Sequence, residues 1–403
     1  MKAAFINSVA GYGSTGRIVY QLSGMTGVQG RIYYGRKQNL TDADVFRISG
    51  FGANVRHALK TFAADAHGFA NAEETRKMIT DLETFRPDLV HLHNLHGYYL
   101  NVQVLFDWLR RTGIPVVWTF HDCWPFTGHC AHFDGIGCDK WKTGCEHCSA
   151  LRQYPPTFNP FGVKKNYARK KEVFGSLPES QMTIVTPSFW LEGLVRESFL
   201  SKYPAETIHT GINLSRFKPV ETGFRKKESL EKQFVILAVA GSWTKEKGLD
   251  DLVRLSQNLK SGQNLVIVGV SEAQKRLFTG VNTVCVSHTD SVEELAGIYS
   301  AADVMLNLTY QDTFPTVNLE AQACGLPVVT YNTGGSPESL SPLTGAIAEK
   351  GDLERIMEIV GQMQKGELTF DRRRCIQQAH KFTEENMLAA YRALYSRKTG
   401  IAL

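Results

Sequence analysis

The chain runs to 403 residues, 43% of them hydrophobic, with a formal charge of +5; that length exceeds what one hydrophobic core supports, so two globular domains are expected. The modest charge and the lack of any nucleic-acid motif point away from nucleic acid and toward small anionic ligands or a membrane surface. No apolar run approaches the ~20 residues of a membrane span, which predicts a cytoplasmic protein.

Short apolar runs at residues 3–9, 31–34, 89–93, 116–120 and 184–186 alternate with amphipathic stretches such as 100–111. Continuous apolar strands separated by helices predict a parallel sheet covered on both faces. Residues 208–219, IHTGINLSRFKP, carry Gly211, Asn213 and Pro219 as turn formers and read as a linker. The pattern restarts with runs at 234–239, 265–268, 283–286, 304–308 and 327–331. Two doubly wound α/β domains in tandem follow, residues 1–212 and 213–385. The closing segment 386–403 is expected to be a helix packed back on the first domain, with Met387, Tyr391 and Leu394 near one face. Ligands of open parallel sheets bind beyond the carboxyl ends of the strands, so the expected site is a cleft between two facing domains.

After the first strand, Gly11, Gly13 and Gly16 match GxGxxG, with a helix expected from near Arg17. Such a loop lets a phosphate approach a helix N-terminus. A nicotinamide site also requires an acidic residue at the end of the second strand, and that strand ends at Tyr34, Gly35 and Arg36. An NADP-dependent oxidoreductase using Arg36 is therefore one alternative. A non-catalytic sugar-nucleotide-binding protein is another.

The most informative stretch is 310–338, YQDTFPTVNLEAQACGLPVVTYNTGGSPE. Pro315 suits a first helical turn, while Gly325 and Pro327 stop the helix after about two and a half turns. Amides around Thr316 and Val317 at its start would face an anion. Asp312 just before the helix and Glu320 on its second turn can both reach one ligand, and carboxylates pair well with sugar diols. Glu320 has mostly apolar sequence neighbours, Leu319 and residues 321–324, which is unusual for a solvated charge. Upstream, the strand at 234–239 runs into Gly241, Ser242, Trp243, Thr244, Lys245, Glu246, Lys247 and Gly248, and a lysine at such a turn can meet a diphosphate.

The strand-G-x5-K-G turn, the acidic-x7-E pair followed by A-x-A-C-G-x-P-V-V, and the later G-G-x-P-E together resemble the donor site of glycosyltransferase family 4. The resemblance implies the GT-B fold, two facing Rossmann-like domains with an interdomain cleft, and a retaining hexosyltransferase. It makes residues 1–212 the acceptor side and 213–385 the nucleotide-sugar side. Lys247 would hold the donor diphosphate, Glu320 the ribose and Asp312 the transferred sugar. Amides of Thr316 and Val317 would bind phosphate, with Gly16, Gly241 and Phe314 also lining the donor. Ser242 stands where the family usually has arginine, and Asp312 where it usually has glutamate.

In the first half, strand ends deliver His91, His93, Asn94 and His96, then His121 and Asp122. The resemblance places His121 against the donor sugar as a catalytic residue beside Asp312 and Lys247, and Gly13, His93 and Asn94 toward the acceptor. Residues 121–151, HDCWPFTGHCAHFDGIGCDKWKTGCEHCSAL, look like the cysteine-bearing stretch of colanic-acid-type exopolysaccharide glycosyltransferases. Within this insertion, 123–150, the cysteines Cys130, Cys138, Cys145 and Cys148 end in C-x2-C, half of a usual zinc site. A structural zinc and a set of inert thiols are the two readings. Residues 154–171 mix Phe158, Phe161 and Tyr167 with basic side chains, so they can rest on the cytoplasmic face of an anionic inner membrane that holds a lipid-linked acceptor; a solvated basic helix is the plainer reading. The implied partners are thus a nucleoside-diphosphate sugar, an oligosaccharide or lipid-linked acceptor in polysaccharide or capsule biosynthesis, and the membrane as a peripheral contact. Catalysis should need no metal, because the single D-x-D, Asp42 and Asp44, lies in a polar loop and not at a strand end.

Overall fold

The structure, a computed structural model, describes residues 1–279 and 282–403. These divide into two compact units, one of Met1–Ile208 with Leu388–Leu403, the other of His209–Met387. The sequence reading drew its boundary at 212/213 and opened its last segment at 386.

In the first unit β1 (Lys2–Asn7) leads through α1 (Gly13–Ser23) to β2 (Gln29–Tyr34) and β3 (Val45–Arg47). Helices α2 (Phe51–Ala64) and α3 (Ala72–Phe85) precede β4 (Leu89–Leu92), α4 (Val102–Thr112) and β5 (Val116–Thr119). After the cysteine-bearing loop come α5 (Gly162–Phe174), β6 (Met182–Thr186), α6 (Phe189–Glu197) and β7 (Ala205–Thr207). The seven strands order as β3-β2-β1-β4-β5-β6-β7, all parallel. The central strands are apolar because both faces are covered: Ala4, Ile6, Val90 and Leu92 pack into a core with Trp108, Trp118 and Phe174.

The second unit holds α7 (Phe224–Lys227), β8 (Phe234–Val239), α8 (Leu249–Gln257), β9 (Gln263–Val268), α9 (Glu272–Lys275) and β10 (Thr283–Val286). Helix α10 (Val292–Ala301), β11 (Val304–Asn307), α11 (Thr316–Ala323), β12 (Val328–Tyr331) and β13 (Gly345–Ala348) follow, then α12 (Leu353–Gln364) and α13 (Arg372–Ala379); α14 (Glu384–Thr399) begins in this unit and from Leu388 onward belongs to the first. Its six strands order as β10-β9-β8-β11-β12-β13, again parallel. Alternate residues of β8 serve separate cores, Ile236 and Ala238 on one face and Val235, Leu237 and Val239 on the other. Both sheets are thus doubly wound, as the sequence predicts.

Three strands escape the sequence reading: β3, β7 and β13 hold three or four residues each and sit at sheet edges. Helix α1 begins at Gly13, not near Arg17. Tyr12 ahead of it is extended, and Gly13 at φ 66° lets the chain turn directly into the helix. In the first unit, the α14 side chains Tyr391 and Tyr395 bond to Thr119 and His91 at 2.8 and 2.6 Å.

Candidate functional site

In the second unit three segments far apart in sequence converge on Asp312. The first is the turn Lys245–Lys247 between β8 and α8. Gly248 follows it at φ 81°, where a Cβ would stand 2.2 Å from the Leu308 carbonyl oxygen, so only glycine lets the turn lie against the end of β11. The Glu246 carbonyl then accepts from Tyr310 N at 2.7 Å and from Thr309 Oγ1 at 3.2 Å. This seating brings Lys247 Nζ to Asp312 Oδ2 at 2.6 Å. The lysine side chain is 40% exposed and the aspartate 18%, so the pair faces solvent on the lysine side.

The second segment is the start of α11. Phe314 N donates to Asp312 Oδ1 at 3.2 Å, which fixes the carboxylate from the backbone side. Pro315 stands at the N-cap with no capping side chain, leaving the first-turn amides at Thr316 and Val317 to the positive end of the helix dipole. Glu320 accepts from the Tyr299 hydroxyl at 3.0 Å. Burial, and then the Glu320 carboxylate, hold that phenol well above its ordinary range, so it stays a donor. Behind the helix the Asn318 side chain bonds Asn307 at 2.9 Å and Ser339 at 3.0 Å, anchoring α11 to the sheet.

The third segment is the G-G-x-P-E loop. A Cβ on Gly334, at φ 54°, would fall 1.8 Å from the Asp312 carbonyl oxygen, which also accepts from Gly335 N at 3.3 Å. Only glycine at 334 lets this loop lie on the Asp312 backbone. Lys247, Asp312, Phe314, Thr316, Val317 and Glu320 thus lie on adjoining segments. Gly241, in contrast, is exposed at the end of β8 and a Cβ there would meet nothing, so no packing demands a glycine. Sequence reasoning missed Tyr299 and the bonding of Lys247 to Asp312.

In the first unit, strand ends β4 and β5 bring His93 Nδ1 within 3.0 Å of His121 Nε2, the rings stacked at 15°. His91 lies 4.1 Å from His93, ring to ring, and bonds Thr119 at 2.8 Å. Burial pushes the His121 pKa down to about 4, so the ring is neutral at neutral pH and can donate and accept at once. Asn94 N donates to Asn7 Oδ1 at 3.2 Å, tying the loop after β4 to the end of β1. Gly16 lies in the first turn of α1 with its carbonyl accepting from Gly11 N at 3.0 Å, and a Cβ on Gly13 would meet nothing. His96 is engaged elsewhere, with Asp122 at 2.6 Å.

Cys130, Cys138, Cys145 and Cys148 line one cavity of about 20 Å³ with His129 and Trp141. Two of the sulfurs accept backbone bonds, Cys145 from Gly128 N at 3.2 Å and Cys148 from Ala150 N at 3.4 Å. Burial raises the Cys130 and Cys145 thiols to about 12 and about 11. Among the described residues no group of three or more His, Cys, Asp or Glu side chains is arranged to hold a metal ion. Asp42 accepts from the Tyr20 hydroxyl at 2.8 Å and Asp44 pairs with Arg31 at 2.8 Å, so the D-x-D carboxylates serve the local fold.

Residues 40–216 match the family described as Glycosyltransferase Family 4, and 220–382 match Glycosyl transferases group 1. The putative colanic acid biosynthesis glycosyl transferase WcaC of Escherichia coli K12 is 26% identical over 74% of this chain and 72% of its own length. The chain spans about half the length of the curated relatives that follow, a phosphatidylinositol monomannoside mannosyltransferase of Corynebacterium glutamicum and a D-inositol 3-phosphate glycosyltransferase of Mycobacterium sp. (strain KMS). Among solved structures, sucrose-phosphate synthase from Thermosynechococcus elongatus superposes with a TM-score of 0.70 at 16% identity, covering 98% of both chains. Anabaena Alr3699/HepE in complex with UDP gives 0.68 at 13% identity, over 98% of this chain and 100% of that one. No oxidoreductase is needed to explain the Gly11–Gly16 loop, since two parallel, doubly wound sheets and two family matches in succession make this chain a GT-B glycosyltransferase of family 4 and group 1.

Proposed function

We propose that the enzyme transfers a hexose, with retention at the anomeric carbon, from a nucleoside-diphosphate sugar to an oligosaccharide acceptor, lipid-linked, in exopolysaccharide or capsule biosynthesis. One observation carries this reading: Lys247 and the start of α11 meet at Asp312, with Glu320 farther along the same helix, all in one unit. In the reaction the bond from the anomeric carbon to the diphosphate oxygen breaks, and the acceptor hydroxyl bonds to the same face of that carbon as its proton passes to the departing diphosphate. Lys247 and the amides of Thr316 and Val317 stabilise the charge that collects on the departing diphosphate. Glu320, held by Tyr299, takes the ribose diol; Asp312 orients the transferred sugar. His121 belongs with that sugar, and His93, Asn94 and the Gly13 loop with the acceptor, following the family resemblance. The likeness to WcaC, named for colanic acid biosynthesis, supports the polysaccharide context.

The chemistry asks for no metal. A structural zinc at Cys130, Cys138, Cys145 and Cys148 is a separate proposal, supported by their shared cavity and by amide bonds of the kind that steady thiolate ligands. The four sulfurs would have to draw together around the ion. The function is tested by screening UDP-, GDP- and ADP-sugars for thermal stabilisation, then following transfer and the anomeric configuration of the product by NMR. Inversion, or transfer lost at once to EDTA and restored by magnesium, would overturn the reading.

A further inference from the structure

Helix α2 is built inside out. Toward the protein it presents Ala53, His57 and Thr61, all buried. His57 Nε2 accepts from Gly68 N at 3.0 Å and Thr61 Oγ1 donates to the His57 carbonyl at 3.0 Å, so the buried face is held by polar bonds. The opposite face is apolar: Phe51 is 78% exposed, Leu59 64%, with Val55 and Phe62 between them. At 3.6 residues per turn those four side chains fall within about 80° of one another. A helix of a globular protein ordinarily does the reverse.

The stripe continues onto a second segment. Phe158 N donates to the Phe62 carbonyl at 2.9 Å and the two rings meet edge to face at 4.7 Å. Thr157 Oγ1 bonds the Thr61 carbonyl at 2.9 Å, pinning this loop along the C-terminal end of α2. Phe158 is 79% exposed and Phe161 85%. Six large apolar side chains thus share one surface.

Charge says what covers it. Residues 51–64 and 151–171 contain no Asp or Glu, while Arg56, Lys60, Arg152, Lys164, Lys165 and Lys171 are all exposed there. Glu74 and Glu146 reach in from outside to pair with Arg56 at 3.2 Å and Lys164 at 3.0 Å. A second copy of this chain would set like charges against one another. We propose that the α2 face and the loop at 157–161 dock on an anionic lipid bilayer, the phenyl rings entering the acyl boundary and the basic rim meeting headgroup phosphates. No helix among the described residues is long and apolar enough to cross a membrane, so the contact lies in the interface. This deepens the lipid-linked acceptor reading and rests on it for its biological sense, but vesicles without any acceptor test it apart from transfer.

Purified full-length protein is sedimented with vesicles of phosphatidylcholine alone or mixed with phosphatidylglycerol. We expect binding to the anionic vesicles only, weakening as salt rises. Leu59→Ser with Phe158→Ser and Phe161→Ser should lower that binding ~10-fold or more at an unchanged melting temperature. Lys60→Glu with Lys165→Glu, which leaves every ring in place, should weaken binding to anionic vesicles specifically. Equal binding by wild type and both variants overturns the proposal. So does a wild-type dimer in sedimentation velocity that the serine variant abolishes, since the face would then join two copies.

Discussion

Lys247 and Asp312 are bonded at 2.6 Å, so a diphosphate that draws on the lysine competes with the carboxylate. Asp312→Asn should therefore leave free nucleoside diphosphate binding as tight as in the wild type or a few-fold tighter, since a half-exposed pair contributes up to ~1 kcal/mol. Its loss should fall on turnover and on discrimination among donor sugars. Glu320→Ala should weaken both the free diphosphate and the intact donor by ~1.5–3 kcal/mol, the range for hydrogen bonds to a charge. Tyr299→Phe, which removes the hydroxyl holding Glu320 at 3.0 Å, should give a smaller loss of the same kind. Calorimetric titration of each variant with the free diphosphate and with the donor separates the cases. If Asp312→Asn weakens free diphosphate binding as Glu320→Ala does, the division of labour between the carboxylates is wrong. Lys247, Asp312 and Glu320 were legible because each has a fixed offset from a glycine or proline. Tyr299 was not, because it lies 21 residues before Glu320 on another helix and only packing brings them together.

Between elements, glycine decides how closely loops approach. Gly248→Ala would set a methyl group against the Leu308 carbonyl and strain a backbone at φ 81°. We expect a loss of at least ~1–3 kcal/mol in stability of the second unit, together with weaker diphosphate binding, read by thermal melts with and without nucleotide. For the cysteine loop, elemental analysis of protein made with zinc available should find about one zinc. Its removal should lower the melting transition of the first unit and spare donor affinity. Protein without zinc leaves the thiols inert. The strands of the sequence reading that the structure keeps are four to six residues long and mostly apolar; the edge strands β3 and β7 have only three residues each, and β13, four residues long, offers a single large apolar side chain, Ile347. The face of α2 escaped for a different reason. Periodicity reports that apolar residues share a side, not which side is buried.

At the scale of the whole chain, the histidines divide its response to acid. Burial lowers His57 and His121 from 6.5 to about 4, and His67, His91 and His93 well below 6.5, and all five belong to the first unit. Between pH 6.5 and 4 the unfolded chain binds protons that the folded unit refuses, so unfolding takes up protons and stability falls as pH drops. For His57 alone the full effect is on the order of 3 kcal/mol, reached only near the lower limit. Lys170, brought from 10.5 to about 7 by burial, acts in the same direction across a higher window. Five of the six tryptophans, Trp108, Trp118, Trp124, Trp141 and Trp190, also lie in the first unit, so intrinsic fluorescence reports mainly on it. We expect its unfolding transition to move to lower temperature as pH is taken from about 7 to about 5, where these histidines remain neutral in the fold. His57→Gln keeps an acceptor for Gly68 N and removes one titrating group, so the variant's pH profile should be shallower than the wild type's. A tryptophan transition that does not move over this range would mean that the buried histidines titrate in the folded unit much as they do in the unfolded chain, and that the polar underside of α2 is more open to water than its bonds to Gly68 and Thr61 imply.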